Sequence, residues 1–72
     1  MKDITSRIIE YEGGGMLFID TIELFSDLIK TGLVWSLQGS YGRMAMKFIE
    51  MKILDEQGNI NQNVIDKLTD LP

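Results

Sequence analysis

Seventy-two residues, with seven basic against eleven acidic side chains and a net charge of −4, describe one domain of 44% hydrophobic composition. The absence of Cys and His excludes disulfide staples, thiolate or imidazole metal sites and the commonest general base. The acidic balance disfavours non-specific attraction to nucleic acid or an anionic membrane. Apolar runs fall far short of the roughly 20 residues a membrane span needs.

The N-terminal Met-Lys-Asp-Ile lacks a signal-peptide core, so a soluble cytoplasmic protein is expected. A chain this short buries only about 60% of its unfolded surface, which leaves a thin core. Self-association is the usual remedy, and a homo-oligomer is expected.

Asp3 suits the N-cap of a first helix over residues 4–12. Ile4, Ile8 and Tyr11 share one face of it, and Arg7 follows Asp3 by four residues. Gly13-Gly14-Gly15 ends the helix in a loop. No Lys or Ser/Thr follows as a phosphate-binding loop requires.

Asp20 and Glu23 have capping-box spacing, and Ile19 with Leu24 suits a hydrophobic staple. A second helix is therefore expected over 21–31. Ile22, Leu24, Phe25, Leu28 and Ile29 gather within an arc of about 160°. Glu23, Ser26, Asp27 and Lys30 take the opposite side, and Gly32 suits the position after the helix.

Residues 33–38 suit one helical turn, closed by Gly39. Ser40 is expected to cap a third helix over 41–52, with Tyr41, Met44, Ala45, Phe48, Ile49 and Met51 on a wide apolar arc. Arg43, Lys47 and Glu50 share the remaining side. An arc this wide suggests contact with a second copy as well as with the same chain.

Asp55 to Asn59 reads as a turn with positive φ at Gly58 or Asn59. Asn61 suits the cap of a final short helix over 62–69 that turns Val64, Ile65 and Leu68 inward, and Asp70-Leu71-Pro72 is expected to fray. A brief pairing of Ile53-Leu54 with Ile60 is the lesser alternative. The fold class is all-α: a single helical domain over 1–72, a small bundle of three main helices plus a short C-terminal helix with helix-turn-helix-like connectivity.

Little catalytic chemistry is on offer. The turn from Asp55 to Asn61 has Gly at the sixth position of a calcium loop but lacks its first Asp and last Glu. The carboxylate pairs Glu10/Glu12, Glu23/Asp27 and Asp55/Glu56 fall on solvent faces, where neither acid is set apart by burial. No His activates Ser6, Ser26, Ser36 or Ser40. A non-enzymatic protein without metal or cofactor is expected.

The run Gly32 to Arg43 is different. It holds the single Trp, three of seven Gly, one of two Tyr and one of two Arg. Its plain reading is structural, with Trp35 filling a gap between helices and Gly39 and Gly42 allowing close approach. Its functional reading is a recognition surface of Trp35, Gln38, Ser40, Tyr41, Arg43 and Lys47. There, Trp35 and Tyr41 would stack on a partner. Arg43 opposes the helix dipole at the start of the third helix, a placement explained by an anion lodged beside it.

A helix-turn-helix reading fits poorly, because the turn is about eight residues where three or four are usual. The expected recognition helix 41–52 offers just Arg43 and Lys47 as bases beside Glu50.

Thr-Ile-Glu-Leu-Phe at 21–25, with the run from Leu28 to Arg43, resembles a family of short tailed-bacteriophage proteins of unassigned function. The resemblance covers about Ile4 to Leu54, and Trp-x-Leu-Gln-Gly-x-Tyr-Gly-Arg at 35–43 is its most specific part. The loop at Gly13–Phe18 departs from that family's acidic turn, and the tail after Leu54 lies outside it.

The resemblance implies a phage accessory protein in the host cytoplasm, with no catalytic residues. The expected function is capture of a host protein or a small anionic, nucleotide-like ligand, with sequestration of a host-defence signal as one form. The alternatives are a nucleic-acid-binding regulator using helix 41–52, or a structural phage component.

Overall fold

The computed structural model describes residues 3–69; the fraying end expected at 70–72 lies outside them. In chain order they form α1 (Ile4–Glu12), α2 (Phe18–Lys30), a single 3-10 turn (Leu33–Trp35), α3 (Gly39–Glu50) and α4 (Gln62–Thr69). The described residues are all-helical apart from one isolated antiparallel bridge, Leu54 to Ile60. The lesser strand alternative survives there as a single pair.

Asp3 caps α1 as expected, its Oδ1 accepting from the Ser6 N–H at 2.8 Å. That bond holds the Asp3 carboxyl below its usual pKa. Arg7 does not turn back to Asp3. Its guanidinium reaches Asp27 on α2 at 2.6 Å and ties the first two helices together.

The starts of α2 and α3 depart from expectation. Asp20 does not cap α2, which begins at Phe18 behind Leu17 and has no side-chain cap, so neither capping box nor staple forms. The N–H and hydroxyl of Thr21 both return to the Leu17 carbonyl, and the Phe18 ring meets Phe48 edge-on at 6.4 Å. Packing between helices outweighs a local cap worth about 1 kcal/mol.

Ser40 likewise does not cap α3. The helix starts at Gly39 behind Gln38 and ends at Glu50, two residues early at both ends. Gly39 opens this helix; it does not close the preceding turn. Met51 falls beyond α3 and is exposed.

The ends are better specified. Gly32 follows α2 in the left-handed region at φ 76°, and its N–H returns to the Ile29 carbonyl. The equivalent residue after α3 is Lys52, at φ 67°. Its N–H bonds the Ile49 carbonyl, and the Ile53 N–H bonds the Phe48 carbonyl, both at 3.0 Å. This is a Schellman motif with Lys where Gly is usual. Burial of Ile53 and Leu54 immediately afterwards offsets the steric cost of roughly 1 kcal/mol.

The core centres on Phe25, which is fully buried. Tyr11 and Phe48 meet it edge-on at 5.4 and 5.5 Å, and Tyr41 stacks on it at 6.0 Å. Ile22, Leu24, Leu28, Ile29, Val34, Ala45, Ile53, Leu54 and Ile65 complete the cluster. Leu68, expected inward, is exposed instead.

Ser26, expected on the solvent side of α2, is buried, and its hydroxyl donates to the Gly58 carbonyl at 2.5 Å. This bond anchors the turn before α4. Gly58 sits at φ 89°, where a Cβ would meet the Ser26 carbonyl oxygen at 2.7 Å. Both the backbone angle and the space require glycine there.

Candidate functional site

Trp35 closes the 3-10 turn and is 55% exposed. Its indole lies along the outer face of α3, over Gly42. A Cβ on Gly42 would lie 3.8 Å from Cε3 and Cζ3 of the ring. Arg43 folds back over the helix start, and a Cβ on Gly39 would lie 3.3 Å from its Nη1. An aromatic ring and a guanidinium thus lie beside Gly42 and Gly39 on one helix, where a Cβ would be in ordinary contact at Gly42 and tight at Gly39.

With Met46, Lys47 and Glu50 these residues line an open groove of about 450 Å³. Arg43 and Lys47 make no ion pair or side-chain hydrogen bond among the described residues. The groove is apolar along Trp35 and Met46, cationic along Arg43 and Lys47, and acidic at the Glu50 end.

Of the expected recognition residues, Trp35, Arg43 and Lys47 come together. Gln38 and Ser40 are exposed at the start of α3 but do not line the groove. Tyr41 is a correction. It is 5% exposed, its hydroxyl donates to Glu12 Oε2 at 2.5 Å, and its ring is held by Tyr11 and Phe25. Burial, then the bond to Glu12, pushes its phenol up to about 12. Such a ring cannot stack on a partner.

Met46 and Glu50 line the groove without being among the expected recognition residues, although Glu50 is expected on the side of Arg43 and Lys47. The signal is the stripe 42, 43, 46, 47, 50 at helical spacing, to which the observed start of α3 adds Gly39.

A second concavity of about 550 Å³ lies between the end of α3 and the start of α4. Several of its polar groups are engaged. Asp55 accepts from the Gln57 and Asn59 N–H groups and the Asn59 amide, and Gln62 donates to Asp66. Asp55 is held below its usual pKa chiefly by the Asn59 backbone bond, so it serves the turn. Among the described residues no three acidic side chains converge as a metal site, and no helix is long and apolar enough to cross a membrane.

Residues 1–71 match a domain of unknown function, DUF7417. The chain belongs to the DUF7417 family. No curated protein and no solved structure matches it. The groove of this DUF7417 domain presents a half-exposed indole over Gly42, with two cations beside it, Arg43 and Lys47, that are unpaired among the described residues.

Proposed function

We propose that this DUF7417 chain is a non-enzymatic, homo-oligomeric accessory protein of a phage. It captures a partner protein of the infected host, in the host cytoplasm, through the Trp35 groove. The observation that carries this is the exposed indole over Gly42, flanked by Arg43 and Lys47, which are unpaired among the described residues. Trp and Arg dominate the energetics of protein interfaces, and a chain of 72 residues gains nothing in its own core from leaving Trp35 half bare.

A protein segment fits better than a nucleotide. Small-molecule sites enclose about 70–90% of their ligand, whereas this groove is open along its length. The groove's composition calls for a segment with an apolar anchor for Trp35 and Met46 and carboxylates for Arg43 and Lys47. The likeness of residues 35–43 to tailed-phage proteins supports the setting. The lack of His and Cys supports capture without turnover.

Affinity purification of the full chain from infected cells tests this proposal. A host protein should co-purify at stoichiometric yield with wild type and be lost with Trp35→Ala and Arg43→Glu. It should be retained with Gln57→Ala, a change on the far turn. A partner held equally by all four chains would overturn the assignment to this groove.

A further inference from the structure

We infer that the first occupant of this groove is a second copy of the chain, which docks its ridge Leu17-Phe18-Ile19 there. The inference rests on the groove being a binding surface. The ridge is the one run of three consecutive exposed large hydrophobics among the described residues, whereas Ile9, Met51, Ile60 and Leu68 are exposed singly. Leu17 is 68% and Phe18 53% exposed, and Ile19 beside them is exposed too. α2 begins ahead of its cap signal, so these three side chains crowd the helix start, where only Phe18 gains a ring contact, to Phe48.

Charge selects the pairing. Asp20 and Glu23 follow the ridge on α2 and form no ion pair among the described residues. Arg43 and Lys47 flank the groove in the same unpaired state. Ridge against ridge would bring acids together on a chain that is already at −4. Ridge against groove sets two acids beside two bases and Phe18 against Trp35 and Met46. Glu50 repels an acid at the other end and so selects one direction.

One chain cannot fill its own groove. Phe18 rests on Phe48 while Trp35 rests on Gly42, positions about 120° apart round α3. The contact is therefore between copies: it closes as a two-fold dimer where each ridge fills the other's groove, and as a larger ring or open chain where it does not. A host partner would compete with the neighbouring copy for the same surface.

Sedimentation velocity on the full chain, across micromolar concentrations and at two salt levels, reads this directly. Wild type should sediment well above its 8.2 kDa, with assembly weakened by salt. Two variants isolate the surfaces. Leu17→Asn/Phe18→Lys breaks the ridge and supplies a better N-cap. Arg43→Glu/Lys47→Glu breaks the groove. Both should keep the wild-type helix signal and stay monomeric alone. Mixed together, they should form a one-to-one complex that grows no further, since each brings one intact surface.

Wild type at 8.2 kDa throughout, variants that still self-assemble, or a mixture that stays apart would each overturn the inference. Host capture is separable from it. The ridge variant keeps its groove, so its failure to hold a host protein sinks host capture alone. A monomeric wild type sinks self-docking and the homo-oligomeric state, and leaves host capture standing.

Discussion

Tyr41 and Trp35 stand six residues apart in one glycine-punctuated run, yet they are used in opposite ways. Tyr41 meets Tyr11 and Phe25, gives its hydroxyl to Glu12 and leaves 5% of its surface in water. Trp35 lies on a bare glycine face and leaves 55%. The difference comes from what covers each ring. α1 reaches Tyr41, and among the described residues nothing reaches the outer side of Trp35. An aromatic side chain is therefore a core residue or a recognition residue according to its neighbours.

Substitutions can break the comparison at either end. Phe25→Ala removes the ring that Tyr11, Tyr41 and Phe48 all touch and should cost about 3–5 kcal/mol. In so small a domain that leaves most of the chain unfolded by circular dichroism at 25 °C. Gly58→Ala forces a side chain to φ 89° and against the Ser26 carbonyl. It should cost more than about 1 kcal/mol in urea denaturation, chiefly by freeing the turn before α4.

Tyr41→Phe loses the bond to Glu12 and should cost about 1 kcal/mol. The phenol titrates at about 12 in the folded chain against 10.0 in the unfolded, so folding favours its neutral form. Its contribution is complete below pH 10.0 and is lost as pH rises toward 12. The urea midpoint should follow that course, and Tyr41→Phe should flatten it. Glu12→Gln should lower the phenol's pKa part of the way, because burial remains.

The smallest effect belongs to the other ring. Trp35→Ala should change stability by less than about 1 kcal/mol while abolishing capture of the partner. A large loss of stability there would move Trp35 to the structural side of the comparison.

Much of this fold is legible in the chain. Ile22, Leu24, Phe25, Leu28 and Ile29 announce α2 by period alone, Asp3 announces the start of α1, and Gly32 the end of α2. The starts of α2 and α3 are not legible, because neither has a side-chain cap; at α2 the earlier start brings Phe18 onto Phe48. Lys52 ends α3 in a conformation that its own chemistry does not favour. Ser26 looks solvated because its acceptor, on Gly58, is 32 residues away.

The candidate site is legible in half. Trp35, Arg43 and Lys47 come from the run itself. Tyr41 is removed from the site by Glu12, 29 residues distant. Met46 and Glu50 join it on the same helical stripe as Arg43 and Lys47, and the early start of α3 adds Gly39.

Trp35 is the single tryptophan, so its fluorescence reads the groove and nothing else. In dilute monomer, its emission should be solvent-like and open to acrylamide quenching. On addition of the captured partner, emission should shift to shorter wavelength and quenching should fall severalfold. An indole already shielded in the dilute monomer, or one that is unchanged when the partner is bound, would contradict the account.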